Sequence, residues 1–188
     1  MPSFDPATTA LVLIDLQHGI AERMELAPRT GAQVVKRAKN LAARFREAGA
    51  PVVLVHVGFT PETMPSQTVD KPALPPGGTP PEFQQLVEGL QQPGDVLVLK
   101  RHWGAFTSTD LDLNLRRRGV KTVVIAGIAT NFGVESTARS AWEHSYDVVI
   151  AEDVCTSRSA ELHRFSIDNI LPAIARVTSA EAISFDAG

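Results

Sequence analysis

Thr122-Val123-Val124-Ile125-Ala126-Gly127-Ile128-Ala129-Thr130-Asn131-Phe132-Gly133 begins as a run of β-branched and aliphatic residues and ends in a polar turn flanked by glycines. The part from Thr122 to Ala126 is almost continuously apolar, the pattern of a parallel strand covered on both faces; a strand with one wet face alternates. Beyond the turn, Val134, Ala138 and Ala141 recur at helical spacing with Trp142 beside them, so Val134 to His144 reads as a helix. Strand, turn and helix in this order make half of a βαβ unit.

The rest of the chain repeats that unit. The runs Thr9 to Ile14, Val52 to Val57, Val96 to Leu99 and Val148 to Ala151 share the apolar character, and Ala175 to Thr178 is a weaker sixth candidate. Between the first two, Val34, Ala38, Leu41 and Phe45 line one face of Gln33 to Glu47, with Gly49 as a stop signal. A third helical stretch, Asp110 to Arg118, is closed by Gly119. The alternation predicts an α/β fold: three layers, with a doubly wound, mostly parallel sheet of five to six strands and helices on both faces.

With 188 residues, 44% of them apolar and 21% charged, the chain has the make-up of one globular domain spanning 1–188. Its 18 basic and 21 acidic residues leave a net charge of −3, and the one dense basic cluster, Arg116, Arg117 and Arg118, complements a helix C-terminus, so no nucleic-acid partner is expected. No apolar run is long enough to cross a bilayer and no signal-peptide pattern opens the chain, so no membrane partner is expected and a cytoplasmic location is the default. Cys155, the single cysteine, can form neither an internal disulfide nor a cysteine metal site by itself. Thr60 to Pro81 is rich in proline and glycine and reads as an irregular insertion inside the domain, serving as a binding loop, a lid or an oligomer contact.

In an open parallel sheet, ligands bind outside the carboxyl ends of the strands. Three ends carry chemistry: the first run finishes in Asp15, Leu16 and Gln17, another in Lys100, and the run quoted above leads into the turn ending at Gly133. A carboxylate beside an ammonium can stay ionised when partly desolvated, and backbone N–H groups at a helix start can hold a developing anion. Taken singly, each residue has a structural explanation as a cap, a solvated lysine or a tight turn; their common place at one sheet edge favours a site.

The strings Ala10-Leu-Val-Leu-Ile-Asp15-Leu-Gln17, Lys100-Arg-His-Trp-Gly-Ala-Phe106 with Thr109-Asp-Leu111, and Gly127-Ile-Ala-Thr130-Asn-Phe-Gly133-Val-Glu-Ser-Thr137-Ala resemble the signature segments of the isochorismatase-like, or cysteine hydrolase, superfamily, over nearly the whole chain. That superfamily includes nicotinamidases, N-carbamoylsarcosine and ureidoacrylate amidohydrolases, and isochorismatases. The resemblance implies that Asp15 and Lys100 take two places of an Asp-Lys-Cys triad and that Gly133 stands in the third, as in a subgroup lacking the cysteine. It also implies a cis peptide between Ile128 and Ala129, with oxyanion-binding amides from Ala129 and Gly133.

A glycine offers no nucleophile, so a covalent acyl-enzyme is not available at this position. Ala129-Thr130-Asn131 is similar to the amidase side of the superfamily, whereas the glycine is shared with isochorismatases. Two readings follow: a cofactor-independent hydrolase of a small metabolite, cleaving an enol ether or amide-type bond with Asp15 as acid or base, or a catalytically silent protein that binds a small metabolite or serves in assembly. Gln17, His18, Arg101, His102, Trp103, Phe106, Thr130 and Asn131 are the candidate pocket residues, with Arg101 placed to pair with a substrate carboxylate. His56 lies in an apolar run with no carboxylate nearby, which is not a metal ligand set, and Pro76-Gly77-Gly78-Thr79 lacks the spacing and lysine of a phosphate loop; neither metal nor cofactor is expected. Met64, Val69 and Leu74 in the proline-rich insertion, together with the resemblance, predict a homo-oligomer, dimer or tetramer.

Overall fold

The strands in chain order are β1 (Ser3–Phe4), β2 (Thr9–Ile14), β3 (Val52–Val57), β4 (Val96–Lys100), β5 (Thr122–Ile128), β6 (Asp147–Thr156), β7 (Arg176–Thr178) and β8 (Ser184–Phe185), and the helices are α1 (Gly31–Glu47), α2 (Leu111–Arg117), α3 (Glu135–Glu143) and α4 (Ala160–Phe165). They come from a computed structural model that describes residues 3–72 and 77–185. Six strands form one sheet in the order β4-β3-β2-β5-β6-β7, with all neighbours parallel. The chain winds outward from β2 to β4, returns to pair with β2 as β5, and then winds the other way. Because parallel crossovers are right-handed, this reversal puts α1 on one face and α3 on the other. The fold class is the one the apolar runs predict.

The reversal leaves a crevice at the carboxyl ends of β2 and β5, where Ile14 is in register with Gly127. Close approach requires a glycine here. Gly127 has a φ of +125°, and a β-carbon on it would sit 2.2 Å from the carbonyl oxygen of Ile14.

α1 starts with a capping box in which the Thr30 hydroxyl accepts from the Gln33 amide and the Gln33 side chain accepts from the Thr30 amide. Its buried stripe, Val34, Ala38, Leu41, Ala42 and Phe45, covers the sheet. The pattern places this helix to within two residues at its start, because stripe and stop signal are both local.

Elsewhere the structure departs from the sequence reading for identifiable reasons. β6 runs five residues past Ala151, since the charges that end the apolar run are paired: Glu152 with Arg29 at 2.9 Å and Asp153 with Arg37 at 2.9 Å. α3 is preceded by a wider turn of helix over Thr130–Val134. α4 turns Leu162 and Phe165 outward and buries His163, so it has no apolar stripe to detect. β1 and β8 pair with each other over two residues each, too short for any periodicity. In the proline-rich insertion Val69 is exposed, and Leu74 lies outside the described residues. No helix among the described residues is long and apolar enough to cross a membrane.

Candidate active site

Asp15 follows the last residue of β2 with a φ of 54°, a left-handed conformation that costs a non-glycine residue free energy and is held by the surroundings. Its amide donates to the Val55 carbonyl at 2.8 Å, so the sheet hydrogen bonding continues through the turn. Lys100 ends β4, two strands away, and its ammonium donates to Asp15 Oδ2 at 2.8 Å and to the His102 carbonyl at 3.1 Å. Both side chains are buried.

The other carboxylate oxygen, Asp15 Oδ1, is buried and has no hydrogen-bond partner among the described residues. Leaving such an atom unpaired costs about 1–3 kcal/mol, which makes it unlike the great majority of buried polar groups. Burial pushes the Asp15 carboxyl up from the ordinary value; the charge and hydrogen bond of Lys100, and the charge of His56, offset this only in part.

The opposite wall of the crevice is the turn after β5. The peptide bond between Ile128 and Ala129 is cis, and the Ala129 carbonyl accepts from the amides of Phe132 and Val134 at 3.0 and 3.2 Å. Gly133 does not have a positive φ; it is distinguished by proximity. A β-carbon on it would lie 2.9 Å from Ile14 Cγ2 and 3.2 Å from Asp15 Oδ2, pointing into the Asp15–Lys100 pair.

Asp15, Lys100, Ile128, Ala129 and Gly133 thus meet on one cavity of about 270 Å³. Its remaining lining is mostly apolar: Ile20 and Met24 come from the segment after β2, Val57 and Phe59 from the end of β3 and just beyond it, and Phe83 from just past the proline-rich insertion. Trp103 and Phe132 also line it and meet edge to face with centroids 4.6 Å apart. Arg158, just beyond β6, contributes a cation 5.9 Å from the Phe132 ring centroid.

The other pocket candidates have different tasks. Gln17 is fully buried and staples β3 to the segment that follows the insertion: its amide nitrogen donates to the Val57 and Phe83 carbonyls, and its oxygen accepts from the Val57 amide, each at 2.8 Å. His18 pairs with Glu22 at 2.6 Å. Arg101 donates to the Gly58 carbonyl at 2.5 Å and, with His102, lines a neighbouring cavity. Phe106 is in the core, stacked on His144. Thr130 and Asn131 turn away from the cavity toward the end of β6, Thr130 to the Thr156 carbonyl at 3.0 Å and Asn131 to Ser157. Of these candidates Trp103 lines the cavity and the others do not. Sequence reading passed over Arg158, Phe59 and Phe83; Arg158 had a usable signal, since it follows a strand at the same sheet edge. His56 bonds to the Gln84 carbonyl at 2.8 Å.

A buried acid–lysine pair lies at the reversal point of a doubly wound sheet and opens on an apolar cavity, the place where folds of the open α/β class bind their ligands. Residues 9–182 match the isochorismatase domain, and the chain belongs to the isochorismatase family. It is similar to the isochorismatase family protein YecD of Escherichia coli O157:H7, with 49% identity over 97% of this chain and 98% of that protein. The ureidoacrylate amidohydrolase RutB of Methylobacterium radiotolerans is 32% identical over 89% of this chain and 75% of its own length. Among solved structures, an isochorismatase family protein from Burkholderia thailandensis superposes with a TM-score of 0.91 at 41% identity, covering 97% of this chain and 96% of that one.

Proposed function

We propose that this protein is a hydrolase of a small, largely apolar metabolite bearing an anionic group, working without a cofactor and without a covalent intermediate, with Gly133 standing where related enzymes carry a cysteine. The observation that carries this reading is Asp15 Oδ1: a buried carboxylate oxygen on the cavity with no partner among the described residues, while Oδ2 is held by Lys100. An atom kept unpaired at that cost is a place for a substrate or a water molecule. RutB, a relative named for amide hydrolysis, supports an amide-type C–N bond as the target.

In this reading Oδ1 takes a proton from water as the water oxygen forms a bond to the substrate carbonyl carbon. The carbonyl oxygen becomes an oxyanion, facing the amides of Ala129 and Gly133. The proton then passes from Oδ1 to the leaving nitrogen as the C–N bond breaks, which restores the carboxylate. Lys100 fixes the orientation of the carboxylate and holds it ionised against the burial that raises its pKa. The Trp103 and Phe132 rings and the apolar wall exclude bulk water, and Arg158 supplies charge for a substrate carboxylate.

A panel of amides, esters and enol ethers assayed with the wild type and Asp15→Asn tests this reading. Turnover confined to the wild type is expected; turnover that survives the substitution refutes the proton-transfer role. A substrate in the panel cleaved fastest at low pH would reverse the order of the steps, with Asp15 acting first as an acid.

A further inference from the structure

Behind the turn that carries Phe132 and Gly133 lies a chain of buried and half-buried polar contacts that the chemistry above does not use. His163, on α4 and 4% exposed, has Nδ1 2.8 Å from the Thr130 hydroxyl and Nε2 3.0 Å from Glu152 Oε1. Arg29 holds the same Glu152 oxygen at 2.9 Å. The Thr130 hydroxyl is also 3.0 Å from the Thr156 carbonyl. Thr130 is the first residue of the turn, so its hydroxyl links the turn to both α4 and the end of β6.

Counting protons selects the imidazole form. Burial would push the Glu152 carboxyl up, but hydrogen bonds from His163 and Arg29 hold it below its ordinary value, so it is ionised and accepts; Nε2 must therefore carry hydrogen. With a neutral ring, Nδ1 has a bare lone pair, and the Thr130 hydroxyl is the donor that reaches it. With a charged ring, Nδ1 becomes a donor, and the single Thr130 proton must swing to the Thr156 carbonyl. One side-chain hydroxyl thus has two settings, chosen by the charge on His163. Burial pushes the His163 pKa down, while Glu152 and Asp168 oppose the shift and Arg29 adds to it, so the neutral ring is the form at neutral pH. A second cavity, lined by Arg29, Glu152, His163, Arg164 and Asp168, borders this cluster.

We propose that His163 is a positioning residue: as a neutral imidazole protonated on Nε2, it takes the Thr130 hydroxyl on Nδ1 and so holds the Thr130–Gly133 turn against Asp15. Protonation of His163 reverses the bond, Nδ1–H donating to the Thr130 oxygen while the hydroxyl turns to Thr156, so the link between α4 and the turn persists in either charge state. The proposal concerns the scaffold of the cavity and goes beyond the assignment of Asp15. Its test needs no substrate, so its failure and the failure of the hydrolase reading are separately visible.

Long-range nitrogen–proton NMR of the imidazole ring at neutral pH is expected to show His163 as the Nε2–H tautomer. Amide exchange at Phe132 and Gly133 is expected to be at least about tenfold faster in His163→Ala, with the amides of β2 and β3 unchanged. Thr130→Val, which swaps the hydroxyl for a methyl group, should give the same acceleration, and combining the two should add nothing further. His163→Asn, which keeps an acceptor near the Nδ1 position, should restore most of the protection. An Nδ1–H tautomer, unchanged exchange at the turn in a folded variant, or equal acceleration across the whole sheet would each overturn the proposal. Should His163→Ala not fold, Thr130→Val and the tautomer decide the matter alone.

Discussion

Lys100 and Asp15, 85 residues apart in sequence, form a 2.8 Å ion pair buried at the carboxyl edge of the sheet, reaching across the end of β3. A buried pair is weak evidence for stability, since removing two charges from water costs about what their attraction returns, but breaking such a pair by removing one partner costs about 3–5 kcal/mol.

Lys100→Met is therefore expected to destabilise the fold by roughly 3 kcal/mol at neutral pH. Without the ammonium, the Asp15 pKa, already raised by burial, rises further. The buried carboxyl is tolerated below that pKa, where it is neutral, and becomes a penalty above it. Denaturant titrations should accordingly show the loss shrinking as pH falls toward the acid range. A loss independent of pH would mean that the two groups do not interact.

In the wild type, a carboxyl whose folded pKa is raised binds its proton more tightly in the folded state. Asp15 thus favours the folded state below its unfolded pKa, and this contribution is lost as pH rises through the folded one. Comparison of stability against pH for the wild type and Asp15→Asn should isolate this downward slope. A difference curve with the opposite slope would show that Lys100 outweighs burial.

Cys155 is fully buried in β6, with Sγ 3.4 Å from the Ala151 carbonyl, and burial pushes its thiol up to about 12. Thiol reagents should leave the folded protein unmodified at neutral pH and label it only on unfolding. Mass spectrometry after iodoacetamide treatment checks this, and rapid native labelling would contradict it.

Gly127→Ala should be among the most damaging single substitutions, at more than about 3 kcal/mol, because the new methyl group meets the Ile14 backbone and the φ is unfavourable. Gly133→Cys should cost about 1–3 kcal/mol, as its β-carbon needs the Ile14 methyl group, and to a smaller extent the Asp15 carboxylate, to give way. Its thiol would then lie beside Asp15 and should react with iodoacetamide faster than Cys155. An inert new thiol in a folded variant would argue against Gly133 marking the nucleophile position.

Arg158→Gln should weaken anionic ligands of the cavity by about tenfold while leaving neutral analogues unaffected, the loss of one charged hydrogen bond. Thermal-shift titrations with matched acids and amides read the difference. Equal weakening of both would assign Arg158 to packing on Phe132.

The apolar side chains left exposed, among them Leu97, Leu99, Trp103, Trp142 and Phe165, extend the self-association argument beyond the proline-rich insertion. Light scattering at micromolar concentration should return a dimer or tetramer, and a monomer mass would refute this.

Much of the scaffold was legible residue by residue. The extents of β2 and β3 follow from their apolar runs, α1 from its stripe and stop, and the doubly wound order from the alternation of the two, because hydrophobic periodicity is set by neighbours a few positions away. The polar residues ending β2, β4 and β5 also pointed to the sheet edge where the cavity lies. Which of their neighbours line it was not legible. Gln17 and Trp103 were equal candidates, yet Gln17 is spent on the Val57 and Phe83 backbone while Trp103 faces Phe132. Arg101 and Arg158 exchanged places for the same reason: a side chain beyond a strand end points where the turn's φ and the neighbouring strands send it. Those are fixed by pairings such as Ile14 with Gly127 and Val57 with Lys100, whose partners lie far apart in the chain. The strands and the kinds of group at their ends were thus written in local order, whereas the unpaired Asp15 oxygen, the near contact of Gly133 and the buried His163 arise only when distant segments close on one another and remove water from between them.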